Sequence, residues 1–172
     1  MASYEIAQYL LDRANIHDTI IKVPFYYDTV NINGLESEVY GPSIEIDYTS
    51  IMGGSPFTVS RAEWVEQADG LLHKFASSQH VTTGIVTNLP QPGPNVARPE
   101  KVTVYAQVTA SMIGKSEVTN GDALFVQNGG LLEAELTRYA DLEKRAENPW
   151  RITKYKYTKK WNKGSVLDIT GK

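Results

Sequence analysis

The sequence predicts an α+β domain in which N-terminal helices pack on one face of a curved antiparallel sheet. Three observations carry that prediction. Apolar residues recur at three- and four-residue steps over the first forty positions. A second helical segment, after residue 60, opens on a capping signal. From residue 79 onward the hydrophobic period changes to two and holds across four runs. Helices followed by a long meander of strands is the element order of an α+β fold. At 172 residues, 41% hydrophobic and 22% charged, the chain reads as one soluble domain, residues 1–172, long enough to bury a core.

Each element has its own signal. Ile6, Leu10 and Leu11, then Ile16, Ile20 and Val23, set the first helical stripe, and Pro24 is expected to end or kink it. Asn33-Gly34 and Gly41-Pro42 mark turns. SIEIDYTSI (43–51) alternates like a strand, and MGGSPFTV (52–59) reads as a loop. Ser60 and Glu63 then form a capping box, each able to satisfy the other's free backbone N–H. Behind them Trp64, Ala68, Leu71, Leu72 and Phe75 make one apolar stripe. The four strand-like runs are QHVTTGIVTNL (79–89), KVTVYAQVTASMI (101–113), LLEAELTRYADLEKR (131–145) and WRITKYKYTKKW (150–161). PQPGPNVARPE (90–100) holds four of the eight prolines and reads as an exposed loop, while SEVTNGDA (116–123) and AENP (146–149) read as turns.

Alternation sorts the strand faces. Val102, Val104, Ala106, Val108 and Ala110 share one face. Leu132, Ala134, Leu136, Ala140 and Leu142 share another, with Arg138 as the odd member. A guanidinium in that row needs an anionic partner or a wet cavity, unless it snorkels at the sheet edge or a bulge shifts the register. The outer rows are polar with aromatics: Tyr105 and Gln107, Thr137 and Tyr139, Tyr155 and Tyr157. Lys154, Lys156, Lys159 and Lys160 mark the last strand as solvated, a device against edge-to-edge pairing.

Composition excludes several classes of function. A net charge of −3 gives no reason to expect nucleic acid or an anionic membrane as partner. With no cysteine there is no disulfide framework, thiolate nucleophile or cysteine-based zinc site. The charged, helical N-terminus does not look like a signal peptide, and no apolar run approaches membrane-spanning length, so a cytoplasmic protein is expected. Of the three histidines, His17 and His73 read as surface residues. They share neither a His-x-x-x-His spacing nor a face with His80, so no metal site is expected. His80 shares its strand face with Thr82, Gly84, Val86 and Asn88, a row with small residues that suits a cavity wall or a satisfied structural histidine.

The segments DRANIHDTIIKVPFYYDTVNING, SIEIDY, SSQHVTTGIVTN and NPWRITKYKYTKKW, in that order around the capped helix, resemble the SnoaL-like branch of the nuclear-transport-factor-2-like superfamily. That branch includes scytalone dehydratase, bile-acid 7α-dehydratase and a lindane dehydrochlorinase. The most specific pieces are YYD at 26–28, IDY at 46–48, QH at 79–80 and a tryptophan opening the last strand. The resemblance implies a cone-shaped α+β barrel of the cystatin-like type, with helices closing one mouth of a strongly bent antiparallel sheet around an apolar pocket. It also implies a catalytic dyad, here Asp28 and His80. The residue types suit that role: a neutral imidazole is the usual base near pH 7, and a carboxylate beside it fixes its tautomer and steadies the imidazolium.

Tyr27 and Tyr48 match positions at which such an enzyme polarises a substrate carbonyl. The resemblance is incomplete. A second pocket histidine of scytalone dehydratase falls at Ala106, a strand asparagine at about Tyr139 with Arg138 beside it, and Lys22 is the sole counterpart of the dehydrochlorinase lysine. The implied function is a cofactor-independent lyase of dehydratase type acting on an apolar small molecule such as a polyketide, terpenoid or steroid-like compound. An isomerase or cyclase using the same pocket, or a non-catalytic ligand-binding or association domain, is the alternative. Tyr27, Tyr48 and either Arg138 or Tyr139 are its expected substrate contacts, and a homo-oligomer, dimer or trimer, its expected assembly.

Overall fold

The computed structural model, which describes residues 3–115 and 124–171, begins with a 23-residue helix, α1 (Ile6–Asp28). Pro24 lies inside it and lacks the N–H that the Ile20 carbonyl would receive. The helix still continues for a turn, because tertiary hydrogen bonds hold Tyr27 and Asp28 in place. Its buried stripe is Asp12, Ile16, Thr19, Ile20, Val23 and Tyr26, whereas Ile6, Leu10 and Leu11 are exposed. The apolar spacing at the start therefore predicts the helix but not its buried face. The first turns are anchored through polar Asp12, which accepts from Tyr4, Arg98 and Trp150.

A short helix, α2 (Ile32–Gly34), and a π-helical turn (Leu35–Val39) lead into β1 (Tyr40–Asp47). The strand expected over 43–51 stops at Asp47. That carboxylate accepts from the Thr49 backbone N–H at 3.1 Å and its hydroxyl at 2.7 Å, turning the chain into α3 (Thr49–Met52). The expected loop at 52–59 contributes Phe57–Ser60 as β2, which pairs antiparallel with β1. Helix α4 (Arg61–Leu72) begins on the predicted capping box, with Ser60 and Glu63 satisfying each other's backbone N–H groups. Ser60→Ala should cost about 1 kcal/mol of stability, read as a lower urea midpoint at unchanged slope. A loss well under 0.5 kcal/mol, the bottom of the range for such caps, would mean α4 is held by its packing alone.

Three long strands follow, β3 (Phe75–Thr87), β4 (Lys101–Gly114) and β5 (Phe125–Arg138). Then come α5 (Ala140–Lys144), β6 (Trp150–Lys163) and α6 (Leu167–Thr170). The run read as one strand over 131–145 is thus the end of β5 plus a helix, so Ala140 and Leu142 do not extend its inner row. The turn expected at 116–123 lies outside the described residues. The sheet order is β2-β1-β6-β5-β4-β3. All neighbours are antiparallel except β1 and β6, which run parallel, a departure from the purely antiparallel meander. The path from β6 back to β1 spans nearly the whole chain, and such a pairing leaves no local sequence signal.

Irregularities bend the sheet. The β3–β4 register shifts between Thr83 and Val86, where Gly84 adopts φ +60°, a left-handed conformation that favours glycine. The β5–β6 register shifts between Gly129 and Gly130. A Cβ on Gly130 would lie 2.3 Å from the Thr158 carbonyl oxygen, so only glycine permits that approach. The concave face carries the predicted β4 row, with Val102, Val104, Ala106, Val108 and Ala110 all buried. From β6, however, Tyr155 and Tyr157 point inward and are buried, while Lys154 and Lys156 take the other face. The tyrosines expected on the outer surface therefore belong to the interior. Helices α1 and α4 close the concavity, leaving a cavity of about 420 Å³ between helices and sheet.

Candidate active site

The cavity is walled by apolar and aromatic side chains from both layers. Helix α1 supplies Ile20, Val23, Pro24 and Tyr27, α4 supplies Trp64, Ala68 and Leu71, and the sheet adds His80, Val108, Leu132, Tyr155 and Tyr157. No Asp, Glu, Lys or Arg is among the described residues that line it. Few polar groups in a concave apolar site is the pattern of small-molecule binding.

Asp28 and His80 meet at the edge of this cavity. Asp28 ends α1, and His80 lies near the start of β3, which packs beside that helix end. The His80 Nδ1–H donates to Asp28 Oδ1 at 2.7 Å, and both side chains are four-fifths buried. A carboxylate can only accept, so Nδ1 carries a proton, and in the neutral ring it is Nε2 that holds the lone pair. His80 lines the cavity and Asp28 does not, so the imidazole stands between carboxylate and cavity.

Two further donors fix the carboxylate: the His80 backbone N–H reaches Oδ2 and the Ser78 hydroxyl reaches Oδ1, each at 2.7 Å. Ser78 is absent from the sequence expectation, though it lies two residues from His80 on the same face of the strand. Burial pushes the Asp28 carboxyl up, but the bonds from His80 and Ser78 outweigh it and hold the group below its ordinary 3.8. A carboxyl with a depressed folded-state pKa stabilises the fold above its unfolded pKa and loses that contribution as pH falls through the folded one. The stability gap between wild type and Asp28→Asn should shrink as pH falls below about 4 in urea titrations. A gap that does not change between pH 6 and 3 would contradict the depressed pKa.

The two tyrosines expected beside the dyad also line the cavity. The Tyr27 ring stands edge-on to His80 at 6.2 Å between centroids, and its hydroxyl shares a 2.7 Å hydrogen bond with Tyr40. Tyr48 stacks on Trp64 at 5.9 Å and approaches Tyr155 at 5.8 Å. Burial pushes Tyr27, Tyr40 and Tyr48 well above the ordinary 10.0 and Tyr157 up to about 12, so all remain protonated donors near neutral pH.

Arg138 and Tyr139, expected at the cavity from alternation and resemblance, are not among its lining residues. β5 ends at Arg138, whose guanidinium donates to Glu143 of α5 at 3.1 Å and to the Pro99 carbonyl at 3.2 Å. It has found an anionic partner outside the site. Tyr139 caps α5, half-buried, with its hydroxyl against Gly41. Lys22 pairs with Glu38 at 2.6 Å and also stays outside. The strand asparagine at the cavity is instead Asn128, whose Oδ1 accepts from the Tyr157 hydroxyl at 2.9 Å. Carrying the β5 alternation back through Gly130 would have found it. Among the described residues no three of His, Asp and Glu converge to hold a metal ion, and no helix is long and apolar enough to cross a membrane.

A bent sheet closed by helices over an apolar pocket, with an imidazole in its wall and a carboxylate behind that ring, defines a class of α+β cones. The chain belongs to the SnoaL-like domain family, whose model matches residues 8–156, and with it to the nuclear-transport-factor-2-like superfamily. Solved structures agree. A Kribbella flavida protein is 22% identical, with 91% of this chain and 96% of that one covered, at a TM-score of 0.76. A candidate scytalone dehydratase from Novosphingobium aromaticivorans is 11% identical, covering 90% and 88%, at 0.67. A hexachlorocyclohexane dehydrochlorinase from Novosphingobium barchaimii is 13% identical, covering 90% and 90%, at 0.64. At these identities the likeness is one of fold. None of the curated proteins matches the chain.

Proposed function

We propose that the chain is a cofactor-independent acid–base enzyme that eliminates water from a small, mostly apolar molecule, with Asp28 and His80 as its proton-transfer pair. The observation that carries this reading is the 2.7 Å contact of Asp28 with His80, whose imidazole lines an apolar cavity of about 420 Å³. The dehydratase and the dehydrochlorinase of the same fold are, by their names, both eliminating enzymes, which supports it. In the proposed reaction His80 Nε2 takes a proton from the carbon next to a carbonyl. The C–H electron pair becomes the enolate, and Asp28 steadies the imidazolium. The carbonyl then re-forms as the β-carbon–oxygen bond breaks, and the imidazolium proton leaves with the hydroxyl as water. The charge balances without oxidant or reductant. Such proton transfer contributes roughly 10²- to 10⁴-fold, with buried tyrosine donors such as Tyr27 and Tyr48 stabilising the enolate oxygen.

Deuterium incorporation at the α-carbon of 2-tetralone in heavy water, followed by proton NMR, tests the first step without knowledge of the leaving group. Exchange faster than in buffer is expected. Binding without exchange would point to a ligand-binding domain, and turnover of β-hydroxy ketones to rearranged rather than dehydrated products to an isomerase. The same reading places the enzyme in the cytoplasm. It also pairs copies through the outer sheet face, where Val81, Ile113, Phe125, Leu131 and Trp161 are exposed. A monomer at micromolar concentration in sedimentation equilibrium would remove that assembly.

A further inference from the structure

Helix α1 presents a second apolar face that none of the described residues covers. Its core side is the stripe from Asp12 to Tyr26, yet Ile6, Leu10, Leu11 and Phe25 are 66%, 57%, 53% and 60% exposed. Ala7, Ala14 and His17 are exposed with them, and Ile21 is half-buried. These positions form a row. Ala7, Leu10, Ala14, His17 and Ile21 recur at alternating three- and four-residue steps, the 3.5-residue period of a coiled-coil seam. At about 100° per residue that row lies opposite the buried stripe, and it ends before Pro24. A helix that only covers a sheet needs one apolar face, not two.

The charges beside the row indicate its occupant. Arg13 is exposed and makes no hydrogen bond or ion pair among the described residues. Asp18 meets only His17, at 3.9 Å. Five positions apart, Arg13 and Asp18 stand about 140° apart round α1 and cannot pair with each other. In a parallel, in-register pair of helices, a residue on one flank of the seam faces the partner's residue five positions on. That spacing sets Arg13 against the partner's Asp18 and Ile6 against the partner's Leu11, each twice by symmetry. An antiparallel pair sets each flank against its own kind, so Arg13 and Asp18 never meet. With one basic and one acidic flank, the face also has no cationic excess to seat it on an anionic membrane. We propose that α1 is a dimerisation helix, on which a second copy of this chain lays its own α1, parallel and in register. Helix α1 covers the concave side of the sheet, so this contact is separate from pairing through the outer sheet face, and both can form at once. His17 is the polar member of the seam, which lowers affinity while fixing register.

The chain has no cysteine, so single cysteines in the intact protein report this geometry directly. Ala7→Cys and Ala14→Cys should each cross-link to its own copy under mild oxidation, faster than Ala62→Cys, an exposed alanine of α4. A parallel seam brings like positions within reach of a disulfide at both sites. An antiparallel seam can do so at one site only, with the other pair roughly 21 Å apart along the axis. In sedimentation equilibrium Leu10→Glu should halve the mass of the wild type. Arg13→Glu should loosen the pair about tenfold, and adding Asp18→Arg should restore it. His17→Leu should tighten it about tenfold. An unchanged mass for Leu10→Glu, cross-linking no faster than in Ala62→Cys, or cross-linking at one seam position alone overturns the proposal. Absence of pairing through the outer sheet would lower the wild-type mass but not remove the halving, so the two contacts fail separately.

Discussion

Asp28→Asn should slow α-deuterium exchange in 2-tetralone by about 10²- to 10⁴-fold while leaving its dissociation constant within a few-fold. The substitution is nearly isosteric. An asparagine Oδ1 in the place of Oδ2 still accepts from the His80 backbone N–H, and its NH₂ in the place of Oδ1 can donate to the Ser78 hydroxyl, so the end of α1 stays where it is. What changes is the partner of the imidazole. An amide carries no charge to steady the imidazolium, and its NH₂ can face Nδ1 and favour the tautomer in which Nε2 holds the proton and cannot act as base. Tetralone binding depends on the apolar walls and the tyrosine donors, none of which Asp28 touches by any hydrogen bond, so affinity and rate should separate. His80→Gln removes the base itself and should lose at least as much. Ser78→Ala, which takes away one of three donors to the carboxylate, should lose less. Exchange by Asp28→Asn within about threefold of wild type, measured at saturating ligand, would leave His80 acting without its carboxylate and sink the dyad.

Much of this site is legible in the sequence because its signals are local. The Ser60–Glu63 box fixes where α4 starts and hence where Trp64 stands, and alternation places Val102, Val104, Ala106, Val108 and Ala110 of β4 inward, with buried Met112 continuing the row. Asp28 and His80 are far apart in the chain, and it is the family resemblance rather than a local signal that pairs them, since Pro24 leads the residue pattern to end or kink the helix before Asp28. Misreadings arise where a pattern is followed past the element that supports it. Arg138, Ala140 and Leu142 continue an apparent alternation, but the strand ends at Arg138, where Glu143 captures its guanidinium and α5 begins. Asn128 is missed for the reverse reason, since β5 begins at Phe125 rather than 131 and the Gly129–Gly130 pair offers no side chain to carry the apolar rhythm back to it. Lysines at alternate positions make the last strand look solvated, although the same alternation sends Tyr155 and Tyr157 inward. The parallel pairing of β1 with β6 joins opposite ends of the chain and depends on closure of the whole sheet.

Asp12→Ala should destabilise the fold by about 3–5 kcal/mol, the range for removing one partner of a buried ion pair. Asp12 is completely buried on α1 and satisfies donors from three distant parts of the chain. Oδ1 accepts from Arg98 Nη2 at 2.6 Å and Trp150 Nε1 at 3.0 Å, and Oδ2 from Arg98 Nε at 2.8 Å and the Tyr4 hydroxyl at 2.9 Å. Burial raises this carboxyl, but the bonds from Arg98, Trp150 and Tyr4 prevail and hold it below its ordinary value. Alanine strands a phenol, an indole and most of a guanidinium, because Glu143 is the only other carboxylate bonded to Arg98 among the described residues. In a domain whose total stability is of order 5–15 kcal/mol, that loss lowers the melting temperature by roughly 6–20 °C. Asp12→Asn keeps an acceptor oxygen and should lose less, which separates lost charge from lost shape. The effect should reach the cavity, since Trp150 opens β6 and Tyr155 and Tyr157 of that strand form part of its wall. Tetralone affinity should therefore fall together with stability in Asp12→Ala, unlike in Asp28→Asn. An Asp12→Ala protein within about 1 kcal/mol of wild type in urea would mean that water replaces the carboxylate, and that α1 is held to the sheet by its apolar stripe alone.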